Sequence, residues 1–386
     1  MKGFRIIAVG LGILIVGGGF FIWRNASRLP PSVVETSMEV PALSLLPEPV
    51  PVIAHVHLPE EVRGIYWNAQ TGGNARGEEL ISYMKETGLN AVVIDAKADN
   101  GALAFAPHDE SLVQYQMKTP LIANLDGVLL RLKEAGIYRI ARVTVMKDNA
   151  FARAHPEEGL HTKDGTLWQD KTGSLWADPM SELLRAYAIA LGEELYARGF
   201  DEIQYDYIRY PSDGVISRIV YPHTPPDASK INVMADVFAT IGDAMRAQGI
   251  PVSFDLFGMT YWREDDFGIG QRLKDVYPHA DFISPMLYPS HFPDTFEGFA
   301  NPAEQPYEIV KRSVDHGSTL LEAQNTPPAD VRRKTRVWIQ DFDIGAVYTS
   351  DLIEAEIKAA RDAGASGWML WNARNVYEKA EYLEKD

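Results

Sequence analysis

The chain of 386 residues contains no cysteine, and only nine of its residues are histidine. Disulfide bonds, thiolate metal sites and cysteine nucleophiles are therefore excluded. A protein without thiols also suits a compartment in which free thiols would be oxidised. The sequence has no EF-hand loop, Walker loop or Gly-x-Ser-x-Gly motif, which argues against nucleoside triphosphatases and serine hydrolases of that type. We predict no metal site and no cofactor.

Positive charge is in short supply, since 37 Lys and Arg residues face 53 Asp and Glu residues and leave a net charge of −16. A nucleic-acid partner needs an excess of positive charge to neutralise its phosphates, and this chain has the opposite excess. The charge balance therefore argues against nucleic acid as a partner. The apolar content of 46% and the charged content of 23% are those of a globular protein. Neutral or weakly charged substrates suit such a chain, and we predict a carbohydrate.

A long uncharged stretch runs from Ile6 to Trp23, with Lys2 and Arg5 before it and Arg24 after it. It is close to the roughly 20 residues that cross a bilayer. Bulky residues occupy the place where a cleavage site needs small ones, so we predict an uncleaved signal anchor over residues 1–27. The rest of the protein would then be exported and held at the cell membrane. A cleaved signal and a secreted protein are the alternative.

Residues 28–61 contain seven prolines and no helix or strand period, which predicts an extended linker. From residue 62 to residue 386, apolar strand-like runs alternate with helical patterns, and five predicted helices end in glycine. This alternation predicts one (β/α)8 TIM barrel. The alternative is an open doubly wound sheet, but no Gly-x-Gly-x-x-Gly motif follows the first predicted strand. The predicted strands are 63–69, 91–97, 138–146, 203–210, 251–257, 282–288, 335–341 and 368–372.

Polar and aromatic side chains collect at the predicted C-terminal ends of the strands, where barrel enzymes keep their active sites. Acetal hydrolysis needs one carboxyl group to protonate the leaving oxygen and another to attack or to activate water. Aromatic rings can stack on sugars. The catalytic candidates are Asp206, Asp255 and Asp341. The candidates for substrate binding are Tyr66, Trp67, Asp95, Lys97, Arg209, Tyr288, Trp371 and Asn372.

These residues also have purely structural alternatives. The first two catalytic candidates could serve only in buried ion pairs with Arg209 or Arg142. Lys97 could belong to a structural pair with an aspartate, and Asp341 could cap the next helix. Two long connections, 108–124 and 149–179, follow strands two and three, and we expect them to wall a groove beside the candidates.

Several motifs occur in order along the chain: 200–211 (FDEIQYDYIRYP), 253–258 (SFDLFG), 269–271 (IGQ), 284–290 (SPMLYPS), 338–342 (WIQDF), 371–373 (WNA) and Tyr377. Together they resemble the glycoside hydrolase family catalogued as a domain of unknown function, DUF4015, over roughly residues 62–377. The resemblance implies a TIM barrel related to α-amylase-like and other glycosidases.

In the amylase-like arrangement that this resemblance implies, an aspartate on strand four is the nucleophile and a carboxylate on strand five is the acid/base. Asp206 and Asp255 match these places, and Asp341 would support them from strand seven. Asp255 departs from the glutamate usual there. Residues 200–211 are also similar to strand four of chitinases, but Ile208 or Arg209 stands where that family has its catalytic glutamate. Substrate-assisted hydrolysis of N-acetyl sugars is therefore not expected.

The sequence thus predicts a glycoside hydrolase that acts on an oligo- or polysaccharide. A glycan-binding envelope protein without catalysis is the first alternative. A transferase that uses the same nucleophile is the second.

Overall fold

The computed structural model describes residues 54–98, 100–322 and 325–377. The predicted signal anchor, most of the predicted linker and the weak helix predicted at the C-terminus lie outside these residues. Within the described ranges, none of the helices has the length and hydropathy needed to span a bilayer.

Eight parallel strands close into a barrel, each paired with its neighbours in chain order. The eighth strand returns to the first, with Gly367 opposite Val62. This closure confirms the predicted (β/α)8 barrel. The strands are Val62–Trp67 (β1), Ala91–Asp95 (β2), Tyr138–Thr144 (β3), Glu202–Asp206 (β4), Val252–Phe257 (β5), Phe282–Met286 (β6), Arg336–Gln340 (β7) and Gly367–Trp371 (β8).

Helices follow the strands along the chain and cover the barrel. At Gly199 the chain adopts φ +112°, a conformation that closes the preceding helix and that a side chain would strain. The helix predicted at 269–279 is shorter than expected at both ends. It begins at Leu273 and ends at Val276, just before Pro278, which has no N–H to continue it. The helices are Ala69–Gly72 (α1), Ala75–Thr87 (α2), Leu125–Glu134 (α3), Asn149–Ala154 (α4), Glu182–Arg198 (α5), Lys230–Ala247 (α6), Leu273–Val276 (α7), Pro306–Glu322 (α8), Pro328–Lys334 (α9) and Ser350–Asp362 (α10).

The strands are buried on both faces, and successive side chains alternate between the barrel interior and the helix layer. On β1, Tyr66 faces the interior, whereas Ile65 and Trp67 belong to the larger core between strands and helices. The interior is filled by Val62, Tyr66, Ala91, Val93, Tyr138, Ile140, Tyr288, Trp338 and Met369. This alternation decides which residues of each strand can reach a site at the barrel mouth.

The N-terminal end of the barrel is closed by a buried ion pair and by the chain that precedes β1. Arg336 Nη1 lies 2.6 Å from Glu202 Oε2 across the interior. Outside this pair, the Val56 N–H donates to Asp201 Oδ1 at 2.7 Å, and Val56 packs against the interior cluster. Residues 54–61, which belong to the predicted linker, therefore pack against the N-terminal end of the barrel. The open mouth lies at the other end.

Candidate active site

Two adjoining cavities occupy the C-terminal mouth of the barrel. The larger, about 790 Å³, is lined by residues of β1 to β3 and by both long connections, as predicted: Tyr66, Asn68, Asp95, Lys97, Arg142, Leu121, Asn149 and Thr172 among them. The smaller, about 180 Å³, is lined by residues from the other side of the mouth, including Asp206, Arg209, Asp255, Tyr288 and Trp338. Arg142, Tyr207 and Trp371 line both cavities, so the two form one site.

The guanidinium of Arg142 on β3 joins three aspartates from neighbouring strands. Its Nη1 donates to Asp95 Oδ1 at 2.6 Å, and its Nε donates to Asp206 Oδ2 at 3.1 Å. Its Nη2 donates to the same Asp206 oxygen. Asp255 Oδ2 lies 3.8 Å from Nε. The acidic groups therefore meet around one cation, which offsets their mutual repulsion.

The Nε atom of Arg142 sets an upper limit on the distance between the two catalytic candidates. Arg142 Nε lies 3.1 Å from Asp206 Oδ2 and 3.8 Å from Asp255 Oδ2. These two oxygens are therefore no more than the sum of the distances apart, about 7 Å, at the short end of the range of about 6.5–9.5 Å found in inverting glycosidases. The bound also includes the separation of about 5–5.5 Å found in retaining ones.

Asp255 has the environment of a proton donor. Its side chain is buried beneath the mouth, with 2% of the residue exposed. Burial raises the pKa of Asp255 well above its usual range, and the charge of Asp206 raises it further, against the opposing effects of Arg142 and of the Trp338 N–H. A carboxyl group whose pKa is raised keeps its proton to a higher pH than usual and can act as a general acid.

Asp206 has the environment of a hydrogen-bond acceptor. Its Oδ2 accepts the two N–H groups of Arg142, and its Oδ1 accepts the backbone N–H of Tyr207 at 2.5 Å. Tyr207 adopts φ +48°, a left-handed conformation that is rare for an aromatic residue and that turns the chain just beyond β4. The two carboxyl groups thus occupy environments of opposite character, as a nucleophile or base and an acid require.

Aromatic side chains frame the pair. The indole Nε1 of Trp338 on β7 donates to Asp255 Oδ1 at 2.7 Å. The rings of Tyr66 and Trp371 stack with their centroids 4.1 Å apart, and the Tyr66 hydroxyl donates to Asp95. Because apolar ring faces bind the apolar face of a sugar, these rings suit a carbohydrate subsite.

Replacing Trp338 with phenylalanine should raise the pKa of Asp255 further, because the lost N–H donates to the ionised carboxylate. Activity that needs protonated Asp255 declines as the pH rises through this pKa. We therefore expect the alkaline limb of kcat/KM to move to higher pH by about one unit in Trp338→Phe. The control is Trp262→Phe, whose indole donates to Ser313 away from the cavity. An unchanged alkaline limb in folded Trp338→Phe would remove Asp255 from the acid role.

The structure brings together eight of the eleven predicted site residues around the two cavities. Those in the larger cavity are Tyr66, Asp95, Lys97 and Trp371, and those in the smaller one are Asp206, Asp255, Arg209, Tyr288 and again Trp371. Lys97 also has the structural role considered above, because its ammonium group pairs with Asp148 and donates to the Thr144 carbonyl at 2.7 Å.

Three predicted site residues line neither cavity. Trp67 is fully buried on the helix side of β1, because Tyr66 takes the inward position. Asn372 stabilises a turn, accepting the Arg374 N–H at 3.0 Å. Asp341 is buried, and its backbone N–H donates to the Trp371 carbonyl. The alternation of side chains along β1 keeps Trp67 from the mouth, whereas Asp341 and Asn372 directly follow the ends of β7 and β8.

The sequence-based site missed Arg142, Trp338 and Tyr207. Arg142 was considered only as a structural partner of the aspartates, although Tyr138, Ile140 and Arg142 alternate along β3 and a charged residue at an inward position was a usable signal. Trp338 has the same inward spacing from Arg336 on β7. The positive φ of Tyr207 has no comparable signal in the sequence.

Fold and site together define the class, a (β/α)8 barrel with paired carboxylates at its C-terminal mouth. In the described part of the chain, no group of three or more histidine or acidic residues is arranged to hold a metal ion. The chain belongs to the DUF4015 family, whose description is "putative glycosyl hydrolase domain" and whose model matches residues 64–377.

Among curated proteins, no significant match was found. Solved structures match more widely. The glycoside hydrolase domain of PgaB (BpsB) from Bordetella bronchiseptica is 15% identical over 81% of this chain and 94% of that chain, with a TM-score of 0.56. The GH36 α-galactosidase AgaB from Geobacillus stearothermophilus is 12% identical over 84% of this chain and 40% of that chain, with a TM-score of 0.51. At these identities the likeness establishes the fold.

Proposed function

We propose that this protein is a glycoside hydrolase that cleaves an oligo- or polysaccharide, with Asp206 as nucleophile or base and Asp255 as general acid. The observation that carries the proposal is the meeting of these two carboxyl groups at Arg142, in one cavity and in opposite environments. Membership of a family of glycosyl hydrolase domains supports the same reaction class.

The chemistry follows from the two environments. Asp255 would give its proton to the glycosidic oxygen, and Asp206 would approach the anomeric carbon or activate water there. Arg142 would keep Asp206 oriented and stabilise its charge, while the stacked Tyr66 and Trp371 rings would hold the sugar beside it.

The test is a panel of oligo- and polysaccharides incubated with the protein, with products separated and identified. We expect cleavage of at least one glycan, and no cleavage of that glycan by a folded Asp255→Asn variant. Binding without cleavage across the panel would indicate the non-catalytic glycan-binding protein. More transglycosylation than hydrolysis would indicate the transferase.

We expect the cleaved glycan to keep its anomeric configuration. The upper bound of about 7 Å on the separation of the two Oδ2 atoms includes the separation of about 5–5.5 Å found in retaining glycosidases and excludes most of the range of about 6.5–9.5 Å found in inverting ones. Proton NMR of the first product, recorded before mutarotation, distinguishes the two outcomes. An inverted first product would contradict Asp206 as nucleophile and leave it the role of base.

We further propose that residues 1–27 anchor the full chain in the membrane with the barrel outside the cytoplasm. The support is the uncharged stretch from Ile6 to Trp23 between basic residues. Full-length protein should stay in the membrane fraction after alkaline carbonate extraction and be digested by protease added to the outside of sealed cells. Recovery of a shortened, soluble protein outside the cell would indicate the cleaved signal instead.

A further inference from the structure

The smaller cavity is lined by Arg209, whose guanidinium group has no role in the proposed cleavage. This residue follows β4 and is 8% exposed. Its Nη1 donates to the Tyr210 carbonyl at 3.0 Å and to Ser212 Oγ at 3.2 Å. Among the described residues, its Nε and Nη2 have no hydrogen-bond partner, and no carboxylate lies within salt-bridge distance of it. One edge of the guanidinium is therefore available.

Aromatic rings surround this cation. Arg209 Cζ lies 5.0 Å from the ring centre of Trp176, 5.1 Å from that of Tyr207 and 4.6 Å from that of Phe257. Cation–π contacts stabilise the guanidinium but do not accept its in-plane N–H groups. The free Nε and Nη2 form the side-on fork that binds a carboxylate or phosphate through two parallel hydrogen bonds.

Burial of a cation is unfavourable unless an anion compensates it. Burial lowers the pKa of Arg209, an effect that Asp206, Tyr207, Asp213 and Asp170 offset in part. An arginine keeps its charge at neutral pH. Arg209 lines the same cavity as Asp206 and Asp255. An anion that paired with its free edge would therefore lie beside the catalytic pair.

We propose that the smaller cavity binds a sugar that carries an anionic oxygen-acid group, and that Nε and Nη2 of Arg209 donate to this group. The group is a carboxylate, as in a uronic acid, or a sulfate or phosphate ester. This inference rests on the proposed function, because it names the substrate class of the same site. The net charge of −16 opposes a densely anionic chain, so the single free fork matches one anionic group on the bound sugar.

The experiment measures binding at pH 7 by tryptophan fluorescence and isothermal calorimetry. The probes are glucuronate, galacturonate, glucose 6-sulfate and glucose 6-phosphate, each compared with neutral glucose or galactose. We expect at least one anionic sugar to bind tenfold or more tightly than its neutral counterpart. Arg209→Gln should abolish this preference and Arg209→Lys should retain part of it, while the exposed control Arg333→Gln should leave it unchanged.

Preference for a carboxylate, or for a sulfate or phosphate, supports the inference and identifies the group. Equal or tighter binding of the neutral sugars, no binding of any probe, or a preference that persists in folded Arg209→Gln overturns it. Should Arg209→Gln not fold, Arg209→Lys and competition by inorganic sulfate on the unaltered protein decide the matter. The Asp206→Asn variant should keep the preference for the anionic sugar while it loses cleavage. Anionic-sugar preference without any cleavage by the unaltered protein would count against the hydrolase and not against the anion site.

Discussion

Asp206→Ala is expected to lower kcat for the cleaved glycan by a factor on the order of 10⁴ or more, because the group that attacks the anomeric carbon is lost. Added azide should restore part of the rate in this variant, since the anion fits the space left by the carboxylate. The product would be a glycosyl azide of inverted configuration, identified by mass spectrometry and NMR.

The matched control is Asp265→Ala, an exposed aspartate paired with Arg263 at the surface, which should cleave at the unaltered rate. Thermal denaturation establishes that each variant is folded. A folded Asp206→Ala protein that cleaves normally would show that another residue attacks the sugar.

Arg142→Gln is expected to reduce the free energy of unfolding by about 3–5 kcal/mol at pH 7, because it leaves buried aspartates without their shared cation. The loss should be smaller at pH 5. Burial raises the pKa of Asp95 and of Asp255. A carboxyl group whose pKa is higher in the folded state than in the unfolded state stabilises the fold as the pH falls, so protonation relieves the repulsion that the substitution exposes.

Urea denaturation at both pH values checks this expectation, with the exposed Arg333→Gln variant as the control. The double variant Arg142→Gln, Asp206→Asn should be more stable than Arg142→Gln alone, because it removes one of the stranded charges. A loss below about 1 kcal/mol, or an equal loss at both pH values, would show that the cation does not hold the cluster together.

The fold could be predicted from the sequence because its signals are local and repeated. Apolar runs fix the strands, and glycines such as Gly88 and Gly199 mark where helices close. The barrel then follows from their number and alternation. Pro278 shows the limit, because the helical pattern around it continued while the backbone N–H needed to extend the helix was missing.

The site could be predicted only in part, because strand ends identify which residues come close and not which way they face. Asp206 and Asp255 were found from their places at the exits of β4 and β5. Trp67 was assigned to the site although the inward position belongs to Tyr66, one residue earlier. Arg142 makes its contacts across three strands, and such a network depends on barrel closure that no single segment of sequence contains.

The central claim is that Asp206 and Asp255 act together on one glycosidic bond. The most direct measurement is the cleavage rate of the same glycan by the unaltered protein, Asp206→Asn, Asp255→Asn and the double variant. Because residues that act as a unit are not additive, each single variant should lose about as much activity as the double variant. A folded single variant that cleaves at the unaltered rate, or losses that multiply as they would for independent sites, would contradict the claim.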